Sequence, residues 1–250
     1  MDFARTALVG GAAFGGGFVN AIAGGGSLIS FPALVAAGVP SVTANLTNTV
    51  ALCPGYFGGT FAQRKVLAGQ ERRVAVLVPA SAVGGVLGAY LLLHTGERAF
   101  EIVVPFLLLL AVVLMAFQKR LHRWMEARRQ GSRNELWLAV PVGLAAIYGG
   151  YFGAALGVIV LAVLDVLADD TLARLNALKQ TVSLTTNVSA ALVFMFSKRI
   201  DWTVVLVMAM TALVGGSVGG AIASRVPPKL LRGIVISIGL GMSIYYFSRL

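Results

Sequence analysis

Charge is what this chain most lacks. Of its 250 residues, 20 are Lys or Arg and 10 are Asp or Glu, so 12% is charged against 58% hydrophobic. A soluble domain carries roughly a quarter of its residues as charge, and the deficit excludes that class. Cysteine is scarcer still: the lone Cys53 lies in an apolar run and reads as a small core residue. One cysteine excludes an intrachain disulfide framework and a cysteine-based zinc site. The only histidines, His94 and His122, fall in connectors, so no base stands beside Ser27 to make it a nucleophile. No Walker-type loop is present, which argues against ATP-driven chemistry on this chain. Acidic residues in apolar runs are confined to Glu101, at the start of one, and Asp165, near the end of another. Neither has an evident partner, so a proton relay or a carboxylate cation site has little support. No enzymatic step, metal or cofactor is expected.

What is present in abundance is apolar chain. Mean hydropathy is +0.85, and a search for about 20 apolar residues per span finds eight hydrophobic blocks. They run roughly over 3–38, 43–63, 74–93, 99–118, 136–168, 175–197, 202–224 and 230–248. The expected fold is an all-α integral membrane protein. The apolar stretch from Phe3 continues past signal-peptide length without a convincing cleavage site, so the N-terminus is expected to be retained. The net charge of +10 raises nucleic acid as a partner, but the basic residues sit in short connectors. Arg64, Lys65, Arg72 and Arg73 fill one, and Lys119, Arg120, Arg123, Arg128, Arg129 and Arg133 fill another. That placement marks cytoplasmic loops of a bilayer protein rather than a nucleic-acid surface. Trp124, Trp137 and Trp202 fall beside span ends, as interfacial anchors do.

The chain also resembles itself. Gly16-Gly17-Phe18, Gly24-Gly25-Gly26-Ser27-Leu28, Asn48-Thr49-Val50-Ala51-Leu52 and Gly84-Gly85-Val86-Leu87-Gly88 are matched in order later on. The matches are Gly149-Gly150-Tyr151, Gly157-Val158-Ile159-Val160-Leu161, Gln180-Thr181-Val182-Ser183-Leu184 and Gly215-Gly216-Ser217-Val218-Gly219, at offsets of 133, 132 and 131. Two repeats follow, at 1–118 and 136–250, joined by a basic cytoplasmic linker at 119–135. The first block of each exceeds one span and carries glycine at its middle, so it is a broken helix or a hairpin, with Ser27 and Thr43 suited to cap the helices that follow. Crossing once gives eight crossings and parallel repeats; a hairpin gives ten and inverted repeats. The basic connectors fall on the same side either way, and inverted repeats with discontinuous helices are the commoner transporter solution. Irregular backbone at membrane depth survives only inside protein or beside a polar cavity, so the breaks point to the site.

Polar residues inside the spans supply its chemistry. Asn45, Asn48 and Thr49 lie within about a turn, with Tyr56 further along. Asn176, Gln180, Ser183 and Asn187 recur at helical spacing on one face. Such stripes serve interhelical hydrogen bonds or a shared central site. Lys179, one residue before Gln180, either snorkels to the interface or neutralises a bound anion. The donors expected to hold an anion are Gly24, Gly25, Gly26 and Ser27 at the first break, Asn45, Asn48 and Thr49, and Lys179, Gln180, Thr181, Ser183 and Asn187. Amides and hydroxyls of this kind suit a small oxyanion at helix N-termini, and they suit a neutral solute as well; a passive channel is a further alternative.

The run Gly17-Phe18-Val19-Asn20-Ala21-Ile22-Ala23-Gly24-Gly25-Gly26-Ser27-Leu28-Ile29-Ser30-Phe31-Pro32-Ala33-Leu34, with Ala44-Asn45-Leu46-Thr47-Asn48-Thr49 and Gly58-Gly59, resembles the sulfite exporter TauE/SafE family. The similarity covers essentially the whole chain. It implies export of sulfite or an organosulfur anion such as sulfoacetate across the bacterial inner membrane, with no enzymatic step. Together with the duplicated polar stripes, the expected protein is a secondary transporter of such an anion or of a carboxylate, working by alternating access at the repeat interface, with a homo-oligomer as a candidate assembly. The second copy departs from the family pattern, since Gly157-Val158-Ile159-Val160 replaces a glycine-rich run. A milder second break or an asymmetric site follows from that departure.

Overall fold

The computed structural model describes residues 3–22, 24–126, 135–222, 225 and 228–249, and among these there are ten α-helices and no strand. In chain order they are α1 (Phe3–Ile22), α2 (Ser27–Ala36), α3 (Ser41–Ala62), α4 (Glu71–His94) and α5 (Glu97–Glu126), then α6 (Ala139–Tyr151), α7 (Leu156–Leu167), α8 (Leu172–Met195), α9 (Trp202–Ile222) and α10 (Pro228–Phe247). Each of the two long first blocks holds two helices. The helix α5 runs on to Glu126, through the first part of the expected linker, and 127–134 lie outside the described residues.

Three helices among the described residues are long and apolar enough to cross a bilayer on length and composition alone: α4, Glu97–Phe117 of α5, and α9. Helices α3 and α8 are as long but carry the polar stripes. Large apolar side chains stand exposed along α4, α5 and α9, among them Leu87, Leu91, Phe106, Leu110, Leu206, Met210 and Val214. A surface of that kind is stable only where lipid covers it. Trp137 and Trp202 are exposed at helix ends, and the Trp124 side chain lies outside what the structure describes. Polar side chains turn inward instead: Asn20, Asn45, Thr47, Asn48, Lys179, Gln180, Ser183 and Thr186 are all buried.

The first five helices interlock with the last five through small residues. A methyl group on Gly84 would lie 2.5 Å from the Gly143 carbonyl oxygen, and one on Gly219 would lie 2.6 Å from that of Phe18. The Gly84/Gly88 and Gly215/Gly219 pairs thus let backbones from opposite halves approach closely, the role of small residues spaced by four in membrane helices. The packing takes the same form in both halves: α9 packs on α1 and α3, α4 packs on α6 and α8, and α3 meets α8 as α5 meets α10.

These contacts also set directions. Gly10 meets Val207 and Thr211 while Gly17 meets Ala212 and Gly216, so α1 and α9 run the same way. Gly55 meets Ala212 and Gly59 meets Gly220, so α3 runs that way too. The helix α2 must therefore return between α1 and α3, and Ser30 duly lies against Gly16. With ten residues, α2 covers about 15 Å of that return. By contrast α3 and α8 are antiparallel, since Gln63 bonds Asn176 while Gly59 faces Gln180. So are α5 and α10, where Pro105 accepts from Ser243 and Val112 faces Gly239. The helix α4 runs with α8, since Gln70 meets Arg174 and Gly85 meets Ser189, and so runs against α3 and α1; α6 follows α4, since Gly84 meets Gly143 and Gly88 meets Tyr151, and it thus opposes α1.

Candidate functional site

The two chain breaks meet inside the molecule. After α1 ends at Ile22, Gly24 and Gly25 take φ values of 70° and 105°, a region glycine enters without steric cost. In the second half Gly153 and Ala155 take φ values of 75° and 58° between α6 and α7. The second break is as sharp as the first, and it lies a few residues before Gly157 rather than at it. A Cβ on Gly24 would come within 3.0 Å of the Gly157 Cα, so the first break rests on the opening turn of α7.

Lys179 reaches this junction from α8. A Cβ on Gly157 would lie 3.3 Å from its Cδ and 3.7 Å from its Cε. The residue is 1% exposed, and its Nζ has no hydrogen-bond partner among the described residues. It is enclosed by protein and does not snorkel. Asp165, also buried, lies eight residues along α7 from Gly157, about 12 Å away. The junction gathers two sources of positive potential, the N-terminal ends of α2 and α7, beside the Lys179 amine, whose Nζ has no hydrogen-bond partner among the described residues. An anion is its natural complement.

The backbone amides of the first break are not open to a ligand in this conformation. Asn20 Oδ1 accepts from Gly25 N at 3.1 Å and Gly26 N at 2.6 Å, and Gly24 N donates to the Val19 carbonyl at 3.1 Å. Gly26 occupies the cap position of α2, and Ser27, its first residue, makes no capping bond. Thr43 is not a cap either: α3 begins at Ser41 after Pro40, and the Glu97 carboxylate receives Val42 N at 2.8 Å instead. Neither cap role expected of these hydroxyls is realised, because the chain restarts each helix by turn geometry or with a distant carboxylate.

The two polar stripes are offset along the contact of α3 with α8 and touch at one end. Since α3 and α8 are antiparallel, Gln180 stands opposite Gly59, and Asn187 lies against Tyr56. Asn48 is eleven residues from Gly59, about 16 Å along α3. Asn45 Nδ2 donates across the halves to the Tyr151 carbonyl at 2.8 Å, and Thr49 and Asn187 bond back to the carbonyls of Asn45 and Ser183. Thr181, half-buried, bonds back to Ala177. Several buried atoms stay unpaired among the described residues: Asn45 Oδ1, Thr47 Oγ1, Asn48 Oδ1, both amide atoms of Gln180 and Ser183 Oγ. Native interiors leave few such atoms, and here they lie on the two helices that carry the polar stripes.

Asn20, Thr47 and Glu97 were not legible as functional or capping residues beforehand. A polar side chain four residues before a glycine triplet was the available signal for Asn20. Glu101 has neighbours in Ser41 Oγ, 3.5 Å away, and through it Tyr246, at 2.6 Å from that hydroxyl.

Arg73 and Arg174, from opposite halves, share Asp170 at the helix ends near the first basic connector. Arg73 Nη1 lies 2.6 Å and Arg174 Nε 2.8 Å from the carboxylate, and Arg73 also approaches Glu135 at 3.8 Å. Burial pushes the Asp170 carboxyl up, but hydrogen bonds from Arg174, the Thr171 amide and Arg73 outweigh it and hold it below the ordinary aspartate value. Arg174 further reaches the Ala68 carbonyl at 3.0 Å.

An all-helical molecule with an apolar exterior, a polar interior and helix breaks meeting beside a buried lysine is built as a multi-pass membrane transporter. The chain belongs to the sulfite exporter TauE/SafE family, which matches residues 9–246. It is 26% identical over 229 residues to the probable membrane transporter protein YfcA of Escherichia coli strain K12, covering 91% of this chain and 84% of that one. It is 27% identical over 238 residues to the probable membrane transporter protein ORF9 of Sinorhizobium sp, covering 93% and 88%. A probable membrane transporter protein of Haemophilus influenzae is 26% identical over 226 residues, with 90% and 88% covered. No solved structure matches the chain.

Proposed function

We propose that this protein is a secondary transporter of the bacterial inner membrane that exports a small anion, sulfite or an organosulfur or carboxylate anion such as sulfoacetate. The observation that carries this reading is Lys179, buried without a partner where the first break meets α7. Burying an unpaired charge is costly, and an anionic ligand offsets that cost where a neutral solute does not. Lys179 supplies the charge, Gln180 and Ser183 supply polar groups one turn apart on the same helix, and the break at Gly24, Gly25, Gly26 and Ser27 closes the site.

Asn45, Asn48 and Thr49 form the corresponding group in the other half. Two inverted repeats, 1–118 and 136–250, are supported by the antiparallel pairing of α3 with α8 and of α5 with α10. Relative movement of the halves exposes the site to one side at a time, as in transporters of that symmetry. The membrane potential, negative inside, drives a monovalent anion outward with about 2.3 kcal/mol per 100 mV.

Proteoliposomes loaded with sulfite, sulfoacetate, sulfate or acetate, under an imposed potential, test this. Potential-dependent efflux of one sulfur anion that collapses in Lys179→Ala is the expected result. Equal efflux from the variant, or transport of neutral solutes only, overturns it.

A further inference from the structure

Asn20 holds the first break in a manner that imitates a ligand. Its Oδ1 accepts two consecutive backbone amides, those of Gly25 and Gly26, at 3.1 and 2.6 Å. Two adjacent N–H groups converging on one oxygen at the start of a helix are what a bound oxyanion receives. The side chain is 2% exposed, and its other terminal atom, Nδ2, has no partner among the described residues. Among the described residues only the two bonds at Oδ1 hold the carboxamide in place, and nothing holds it by its nitrogen. The second break has no equivalent: Gly153 stands at the corresponding position, and the Tyr148 hydroxyl instead donates to the Ala154 carbonyl at 2.7 Å. Beside the first break, Lys179 runs along Gly157 with its own Nζ unpaired.

We infer that Asn20 is a resident stand-in for the substrate: an oxygen of the transported anion displaces Oδ1 from the Gly25 and Gly26 amides. The freed carboxamide turns away from the two amides, so the same residue closes the empty site and yields it to the ligand. Asn20 is in this sense a specificity-determining residue. It favours ligands whose oxygen carries enough charge to outcompete a carboxamide oxygen, which neutral solutes lack. This inference rests on the anion-transport reading above.

The two roles open to Asn20 predict opposite signs for the same pair of variants. If Asn20 were only a cap, Asn20→Asp would preserve function, since a carboxylate caps at least as well, and Asn20→Ala would lose it. As a stand-in, Asn20→Asp holds the amides with a fixed negative charge and repels the anion, whereas Asn20→Ala leaves them open. The experiment is sulfite binding to purified full-length wild type, Asn20→Asp and Asn20→Ala, by titration calorimetry, with efflux from proteoliposomes beside it. The expected result is apparent affinity at least tenfold weaker in Asn20→Asp and within about twofold of wild type, or tighter, in Asn20→Ala. Should the alanine variant fail to fold, Asn20→Ser, whose short hydroxyl reaches one amide at most, is expected to bind within threefold of wild type. Retained binding in Asn20→Asp with loss in Asn20→Ala or Asn20→Ser overturns the inference and leaves anion transport standing. Wild-type protein that binds and moves no anion overturns the transport reading itself.

Discussion

Replacing Lys179 with methionine is expected to make the empty protein more stable and the functional protein useless. Lys179 is 1% exposed and its Nζ is unpaired among the described residues. A charged side chain placed at the centre of a membrane helix costs about 3 kcal/mol on insertion scales. Methionine fills similar volume with a flexible apolar chain and removes that cost. For a domain of this size, each kcal/mol moves the melting midpoint by about 2–4 °C, so Lys179→Met is expected to melt about 6 °C or more above wild type in detergent without ligand. Anion binding reverses the order of advantage. At a hundred times its dissociation constant a ligand stabilises the folded state by about 2.7 kcal/mol, and only wild type gains it. The two midpoints therefore converge in saturating sulfite and separate again when sulfite is dialysed away. Thermal melts of both proteins across a sulfite series, at one scan rate, read this directly. A variant that melts below wild type, or that sulfite stabilises equally, refutes the assignment of Lys179 as an uncompensated cation awaiting an anion.

The close crossings give a paired prediction. Gly84→Val forces side-chain atoms into the Gly143 carbonyl and Ala146 and is expected to cost about 1–3 kcal/mol or more, whereas Gly11→Ala, which meets nothing within 4 Å, is neutral or stabilising by up to about 1 kcal/mol; melting midpoints compare them. Asp170→Asn leaves Arg73 and Arg174 without their shared carboxylate. With all three side chains 13–33% exposed, the loss is discounted for solvent to about 1 kcal/mol, and a thiol probe at Gln63→Cys, 9% exposed, is expected to label about fivefold faster if the pair holds the halves together on that side. The Asp170 carboxyl is held below the ordinary value of 3.8. Its contribution is therefore full above that pH and is lost only as pH falls through the lower folded value, so melting between pH 5 and 8 should be unchanged by this group.

Much of the helical layout was legible because lipid imposes a simple rule. Chain that crosses a bilayer must be apolar and helical, and runs such as 74–93 and 202–224 correspond to α4 and α9 within a few residues. The breaks were legible for the same reason, since Gly24, Gly25 and Gly26 interrupt an apolar run longer than one span. Capping was not: Ser27 and Thr43 have the right chemistry, yet α2 begins at a glycine turn and α3 takes its cap from Glu97, more than fifty residues away. The role of Asn20 was not legible, because a side chain that turns back onto amides five and six residues later leaves no periodic trace.

Composition and local pattern determined that this chain is helical, lives in lipid, and carries polar groups and a lysine where lipid should be. Those conclusions need no partner, because solvation of each segment decides them. Which groups meet was decided by tertiary structure alone. Asn48 and Gln180, which look like counterparts on paper, stand about 16 Å apart along α3, because the helices bearing them are antiparallel, and direction is a property of the assembled bundle. The same assembly brings Gly24 against Gly157 and lays Lys179 beside them, a contact between residues 133 positions apart in the chain. Only packing selects such a neighbour, since the free energy of a buried charge depends on everything enclosing it and not on the residues next to it in the chain.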